Sequence, residues 1–289
     1  YLAPYAASIL AGGLDVAPPS ASVDIDDDEA LTHRRLAAMY ERMGRSEDAR
    51  VEAAEASKYE RLEAEWLARF RLRFTSNPAH AQSAATADLE GSTVVIPNTV
   101  ALPWRAPRWR AAGNRILFVG NLSYWPNIEG IWNFVEKTLP LLRARLGNDV
   151  KVRIVGSAPA PEVIALTARP GVELVADAPH LASHYRWADL CVVPLTAGGG
   201  TRIKVLEAFA YGVPTVSTHL GAEGIAAHDR VHLLLADSHD AFAGACADLL
   251  TDARLAARLA RNARQLVETS HARAVGEKII RQTFAGAVT

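Results

Sequence analysis

Between Arg115 and Thr218 short β-branched runs alternate with stretches whose apolar residues recur every three or four positions. That alternation leaves few architectures open, because each strand then reaches its neighbour through a helix and the sheet must be parallel, covered by helices. Strands are expected at Arg115–Val119, Val150–Val155, Val172–Val175, Leu190–Val193 and Thr215–Ser217, with a sixth at Val231–Ala236. The intervening helices fall near Asn127–Arg145, Pro161–Ala168, Leu181–Trp187 and Arg202–Tyr211. The chain ends in helices at Ser238–Leu250, at Asp252–Glu268 with Asp252 as cap, and at His271–Phe284.

Upstream, Ala21–Ile25 and Phe70–Thr75 read as strands flanking a long charged helix from Asp28 toward Ala68, broken near Gly44. A helix near His80–Glu90 and a strand at Thr93–Ile96 follow. Three strands are few for an independent doubly wound domain, and the chain opens on Tyr1 rather than Met, so a preceding part of a longer protein is expected. Residues 1–100 are therefore taken as a partial N-terminal domain and the Pro/Trp/Arg-rich 101–114 as a linker. Residues 115–270 form the second domain, and 271–289 a C-terminal helix able to pack back on the first.

Composition narrows the partners. The 289 residues are long enough for two cores, and a net charge of −1 gives no global pull toward nucleic acid or an anionic membrane. Any phosphate binding must come from local placement. Two distant cysteines without metal-ligand spacing, no apolar run of membrane-spanning length and no signal-peptide pattern fit a cytoplasmic setting.

The segment Pro194–Thr218 offers that placement. A buried strand runs into Gly198-Gly199-Gly200-Thr201, then into a helix opening with Arg202 and Lys204. Backbone N–H groups and two cations at a helix N-terminus suit an anion, while a flexible loop followed by a solvated basic edge is the plainer alternative. With five lysines against 26 arginines in the chain, a lysine at this turn stands out. Glu207, three residues beyond Lys204, lies on the same helix face and either pairs with it or reaches past it. The strand ending at Gly120, followed by Asn121 and Ser123, would meet ligand at the carboxyl edge of the sheet. Asp24, Asp26, Asp27 and Asp28 invite a metal reading, but a helix start enriched in acids explains Asp26–Glu29 more simply, and metal is disfavoured. His219 and Glu223 are a weak pair of loop polar residues, and Asp177 and His180 are read as caps of the helix at Leu181.

Taken in order, Ile96-Pro-Asn-Thr-Val100, Phe118-Val-Gly-Asn-Leu-Ser-Tyr-Trp-Pro-Asn127, Ile154-Val-Gly156, Ala188-Asp-Leu-Cys-Val-Val-Pro194 and Gly198 through Thr218 resemble the C-terminal domain of GT-B glycosyltransferases of the group 1, family 4 type. The resemblance implies an α/β fold of GT-B type: a doubly wound, Rossmann-like donor domain beside a partial, N-terminally truncated second α/β domain. It implies transfer of a sugar from a nucleotide-diphosphate sugar, with retention of configuration and without metal, in bacterial polysaccharide or glycolipid assembly. Arg202 and Lys204 would stabilise the departing diphosphate as catalytic cations. Gly120, Asn121, Gly199, Gly200, Thr201 and Glu207 would complete the donor site, Glu207 on the ribose hydroxyls. Ala176, Asp177 and Ala178 would line the base pocket, mainly through backbone groups.

Family members commonly place a glutamate eight positions before the one matched by Glu207, where this chain has Gly199. Recognition of the sugar by that side chain is therefore in question, although a Gly-Gly-x-x-Arg-x-Lys form is itself a branch of the family. The resemblance implies no cofactor beyond the donor, a glycan or lipid-linked acceptor, no nucleic acid, and peripheral contact with the inner membrane face. The rival reading is a nucleotide-binding remnant or partner subunit without catalysis. A nicotinamide dehydrogenase is weak, since no Gly-x-Gly-x-x-Gly follows a first strand.

Overall fold

The computed structural model describes residues 22–25, 27–67, 70–78, 81, 91–103, 113–200 and 202–287. Two compact units share the chain: one runs to Asn98 and takes in Ala197–Thr201 and the stretch from Gly276, the other is Thr99–Thr196 with Arg202–Val275.

In the first unit β1 (Ser22–Ile25), β2 (Leu72–Thr75) and β3 (Ser92–Val95) pair in parallel in that order. The expected long helix is two, α1 (Glu29–Arg42) and α2 (Ser46–Trp66), and the break falls at Gly44 as the pattern indicates. Asp28 caps α1, its Oδ1 accepting from the Leu31 amide at 2.6 Å, so this acid serves the helix start. The expected helix at His80–Glu90 and most of the 101–114 linker lie outside the described residues.

The second unit carries β4 (Arg115–Val119), β5 (Lys151–Gly156), β6 (Val172–Ala176), β7 (Leu190–Val193), β8 (Thr215–Ser217) and β9 (Leu234–Leu235). They form one parallel sheet in the order β6-β5-β4-β7-β8-β9. Chain order reverses between β4 and β7, and in such sheets the crevice beyond the carboxyl ends at that point is where ligands bind. Ile116 and Phe118 of β4 pack into one core, Leu117 and Val119 into the other, as the two-residue period of a strand covered on both faces requires.

The helices are α3 (Trp125–Asn133), α4 (Leu139–Leu146), α5 (Pro161–Ala165), α6 (Ala182–Trp187), α7 (Ile203–Ala210), α8 (His239–Thr251), α9 (Ala253–Ser270) and α10 (Arg273–Ala287). Two sequence expectations change. The single helix expected over Asn127–Arg145 is interrupted by a π-turn at Phe134–Thr138, where the Leu139 amide donates to the Phe134 carbonyl. Pro140, one residue on, has no N–H and crowds the preceding turn, so the wider turn relieves it. The strand expected at Val231–Ala236 shrinks to Leu234–Leu235, because Arg230 sits at φ 59° and the Val231 amide closes a turn onto His228. Asp252 does cap α9, accepting from the Arg254 and Leu255 amides at 2.9 Å. Among the described residues no helix is long and apolar enough to cross a membrane.

Candidate functional site

The carboxyl ends of β4 and β5 approach so closely that a Cβ on Gly156 would fall 1.8 Å from the Gly120 carbonyl oxygen. Only glycine fits there, and the chain turns out of β4 directly over the crevice. Beyond Gly120, Asn121 accepts from the Ser123 amide at 3.0 Å and hydroxyl at 2.8 Å, which closes the loop into α3. Asn127 near the start of α3 is buried and donates to the Asn121 carbonyl at 2.8 Å.

Lys204 enters this arrangement from the first turn of α7. Its Nζ donates to Asn127 Oδ1 at 2.5 Å, lies 4.9 Å from the Phe118 ring centroid, and would be 3.0 Å from a Cβ on Gly120. Among the described residues no carboxylate forms an ion pair with it. Burial and the neighbouring Arg202 guanidinium bring its pKa down to about 7, with Glu207 opposing only weakly. Arg202 is buried at the N-cap of α7, its Nε donating to the Leu220 carbonyl at 3.4 Å.

Glu207, one turn further along α7, does not pair with Lys204. Its Oε2 accepts from the Tyr185 hydroxyl at 2.9 Å, and Tyr185 stacks on Tyr211 with ring centroids 5.0 Å apart. Desolvation raises the Glu207 pKa, while the Tyr185 hydrogen bond and Lys204 draw it back. The plainer reading of an intrahelical Lys204–Glu207 ion pair therefore fails.

A cavity of about 380 Å³ opens beside this crevice, bounded by Gly120 and Asn121 after β4, Gly156 and Ser157 after β5, and Asp177 and Ala178 after β6. Ala176, the last residue of β6, is not among its lining residues. Asp177 does not cap the following helix, contrary to expectation: the N-cap of α6 is Leu181, with no side-chain bond. Asp177 instead adopts φ 49°, and its Oδ1 accepts from the Ala158 amide at 3.2 Å. A cap role for His180 fails with it. His219 Nδ1 pairs with Asp237 Oδ2 at 2.7 Å, a partner the sequence pattern did not single out.

The glycine turn differs most from expectation. Within the first unit Gly199 and Gly200 lie against the start of α1, where a Cβ would meet Thr32 Oγ1 and Asp27 Oδ1, each at 1.9 Å. Arg35 Nη1 donates to the Gly198 carbonyl at 3.1 Å. A side chain at position 199 would therefore require Thr32 to move. Gly200 is thus faced by the Asp27 carboxylate. Thr201 lies outside the described residues. Among the described residues no group of three or more His, Cys, Asp or Glu is placed to hold a metal ion.

Residues 113–252 match the family model described as Glycosyl transferases group 1. This segment is thus similar to group 1 glycosyltransferases. The sequence is 24% identical over 166 residues to an uncharacterized 44.6 kDa protein in the cps region of Klebsiella pneumoniae, covering 54% of this chain and 42% of that protein. The chain therefore spans less than half of that relative's length. Among solved structures, TarM of S. aureus bound to Fondaparinux, alpha-GlcNAc-glycerol and UDP superposes with a TM-score of 0.63 at 15% identity, over 79% of this chain and 46% of TarM. Sucrose-phosphate synthase of Thermosynechococcus elongatus gives 0.63 at 21% identity, over 80% and 62%. HepE of Anabaena with UDP and glucose gives 0.61 at 16%, over 86% and 80%. These likenesses show a GT-B-type α/β fold.

Proposed function

We propose that the chain is the donor-binding part of a glycosyltransferase that moves a sugar from a nucleotide-diphosphate sugar to a glycan or lipid-linked acceptor, with retention of configuration and without a metal ion. The observation that carries this reading is Lys204: a half-buried ammonium without a carboxylate ion-pair partner among the described residues, held by Asn127 beside Gly120. A desolvated cation in that state is stabilised by an arriving diphosphate, and it meets the charge that builds on the leaving group as the sugar–oxygen bond breaks. Buried Arg202 adds to the same field, so fixed cations do what a divalent ion does elsewhere. Glu207, whose Oε2 is held by the Tyr185 hydroxyl, would accept from ribose hydroxyls through its other oxygen. That TarM and HepE were solved with UDP supports a nucleotide donor. The setting of the Klebsiella relative in a cps region supports polysaccharide assembly.

The test is release of nucleoside diphosphate from a panel of UDP-, GDP-, ADP- and dTDP-sugars, with a lipid-linked or oligosaccharide acceptor, in the presence and absence of EDTA. Release that EDTA leaves intact and that K204A abolishes is the expected result. Nucleotide binding with no release from any donor would favour the non-catalytic reading.

A further inference from the structure

Of the described residues that line the 380 Å³ cavity, Asp177 alone is charged. Val119, Val155 and Leu181 give it apolar wall, Asn121 and Ser157 neutral polar wall, and Gly120 and Gly156 two side-chain-free openings. Gly120 also borders Lys204, since a Cβ there would stand 3.0 Å from Nζ. The cavity and the diphosphate-binding cation therefore share one residue. A nucleotide whose diphosphate meets Lys204 has its base on the Asp177 side.

The Asp177 carboxylate is held in place at three points. Its amide donates to the Gly156 carbonyl at 2.9 Å, its backbone is left-handed at φ 49°, and its Oδ1 accepts from the Ala158 amide at 3.2 Å. Ala158 is itself at φ 49°, a conformation uncommon for alanine, which turns that amide toward the carboxylate. The group is a fixed double acceptor at the edge of this cavity, with Oδ2 making no hydrogen bond to a described residue.

An ionised carboxylate offers acceptors only. Guanine presents two donors side by side, N1–H and the 2-amino group, and the pair meets both carboxylate oxygens in a bidentate, charge-assisted contact. Adenine sets its one amino donor beside acceptor nitrogens. Uracil and thymine place N3–H between two carbonyl oxygens, which a carboxylate repels. We propose that Asp177, fixed over this cavity, makes the site selective for a guanine nucleotide, so that the donor is a GDP-sugar. The inference rests on the donor-site reading above and departs from the expectation that residues 176–178 read the base through backbone groups.

Isothermal titration of the full chain with GDP, UDP, ADP and inosine diphosphate, the last lacking the 2-amino group, tests it. GDP should bind at least about tenfold more tightly than UDP and ADP, with inosine diphosphate in between. D177N, an exchange that tolerates the left-handed backbone, should collapse that preference. It should also gain affinity for xanthosine diphosphate, whose C2 carbonyl matches the new amide donor; a merely structural role for Asp177 predicts no such gain. Tighter binding of UDP than GDP, or a GDP preference that survives D177N, overturns the inference and leaves the donor-site reading standing. Binding of none of these diphosphates overturns both.

Discussion

At the scale of single residues the site turns on the charge of Lys204. Its pKa of about 7 lies below the usual lysine value because burial and Arg202 disfavour the ammonium. Above pH 7, and up to the ordinary lysine pKa, the unfolded chain holds a proton that the folded chain has lost. The contribution of this group to stability therefore rises with pH across that window and is lost as pH falls through 7. A bound diphosphate reverses the preference and restores the proton. Nucleotide binding above neutrality must then take up a proton, and affinity should fall by up to about tenfold per pH unit between about pH 7 and pH 9. In K204R, whose guanidinium stays charged throughout, the slope should vanish. Titration calorimetry in buffers of different ionisation enthalpy measures both affinity and proton uptake. A slope shared by K204R and the native chain would place the titrating group elsewhere.

At the scale of elements, the close approach of the carboxyl ends of the parallel neighbours β4 and β5 decides where the site opens. G156A would drive a methyl group into the Gly120 carbonyl, 1.8 Å away, and the loop carrying Asn121 must shift to admit it. We expect a destabilisation of about 1–3 kcal/mol, read from urea unfolding, together with a loss of nucleotide binding larger than the stability change alone explains. Native binding in a destabilised G156A would contradict the placement of the crevice. Much of this was legible beforehand. The alternation of runs specified the parallel sheet and the helices between its strands, because a periodicity of two or of three to four is local information. The break at Gly44 and the Asp252 cap were legible for the same reason. The π-turn before Pro140 was not, since a proline within an apolar helical pattern marks a fault without saying how the helix accommodates it. Nor was the partner of Asp177: an acid four residues ahead of a helix expected at Leu181 looks like a cap, and only the left-handed backbone turns it toward Ala158. The packing of Gly199 and Gly200 against Thr32 and Asp27 links positions more than 160 residues apart in sequence, which no local pattern contains.

At the scale of the whole molecule, a net charge of −1 leaves recognition of an anionic donor to a few fixed groups. The account stands or falls on one of them. The most direct measurement is calorimetric titration of a nucleoside diphosphate and its parent nucleoside into the native chain and K204A, with EDTA present throughout. Removing a desolvated charge-assisted contact should cost about 1.5–3 kcal/mol for the diphosphate, about ten- to more than a hundredfold in affinity, and leave the nucleoside nearly unaffected. Equal losses for both ligands, or diphosphate binding that EDTA abolishes in the native chain, would contradict a metal-free diphosphate site at Lys204.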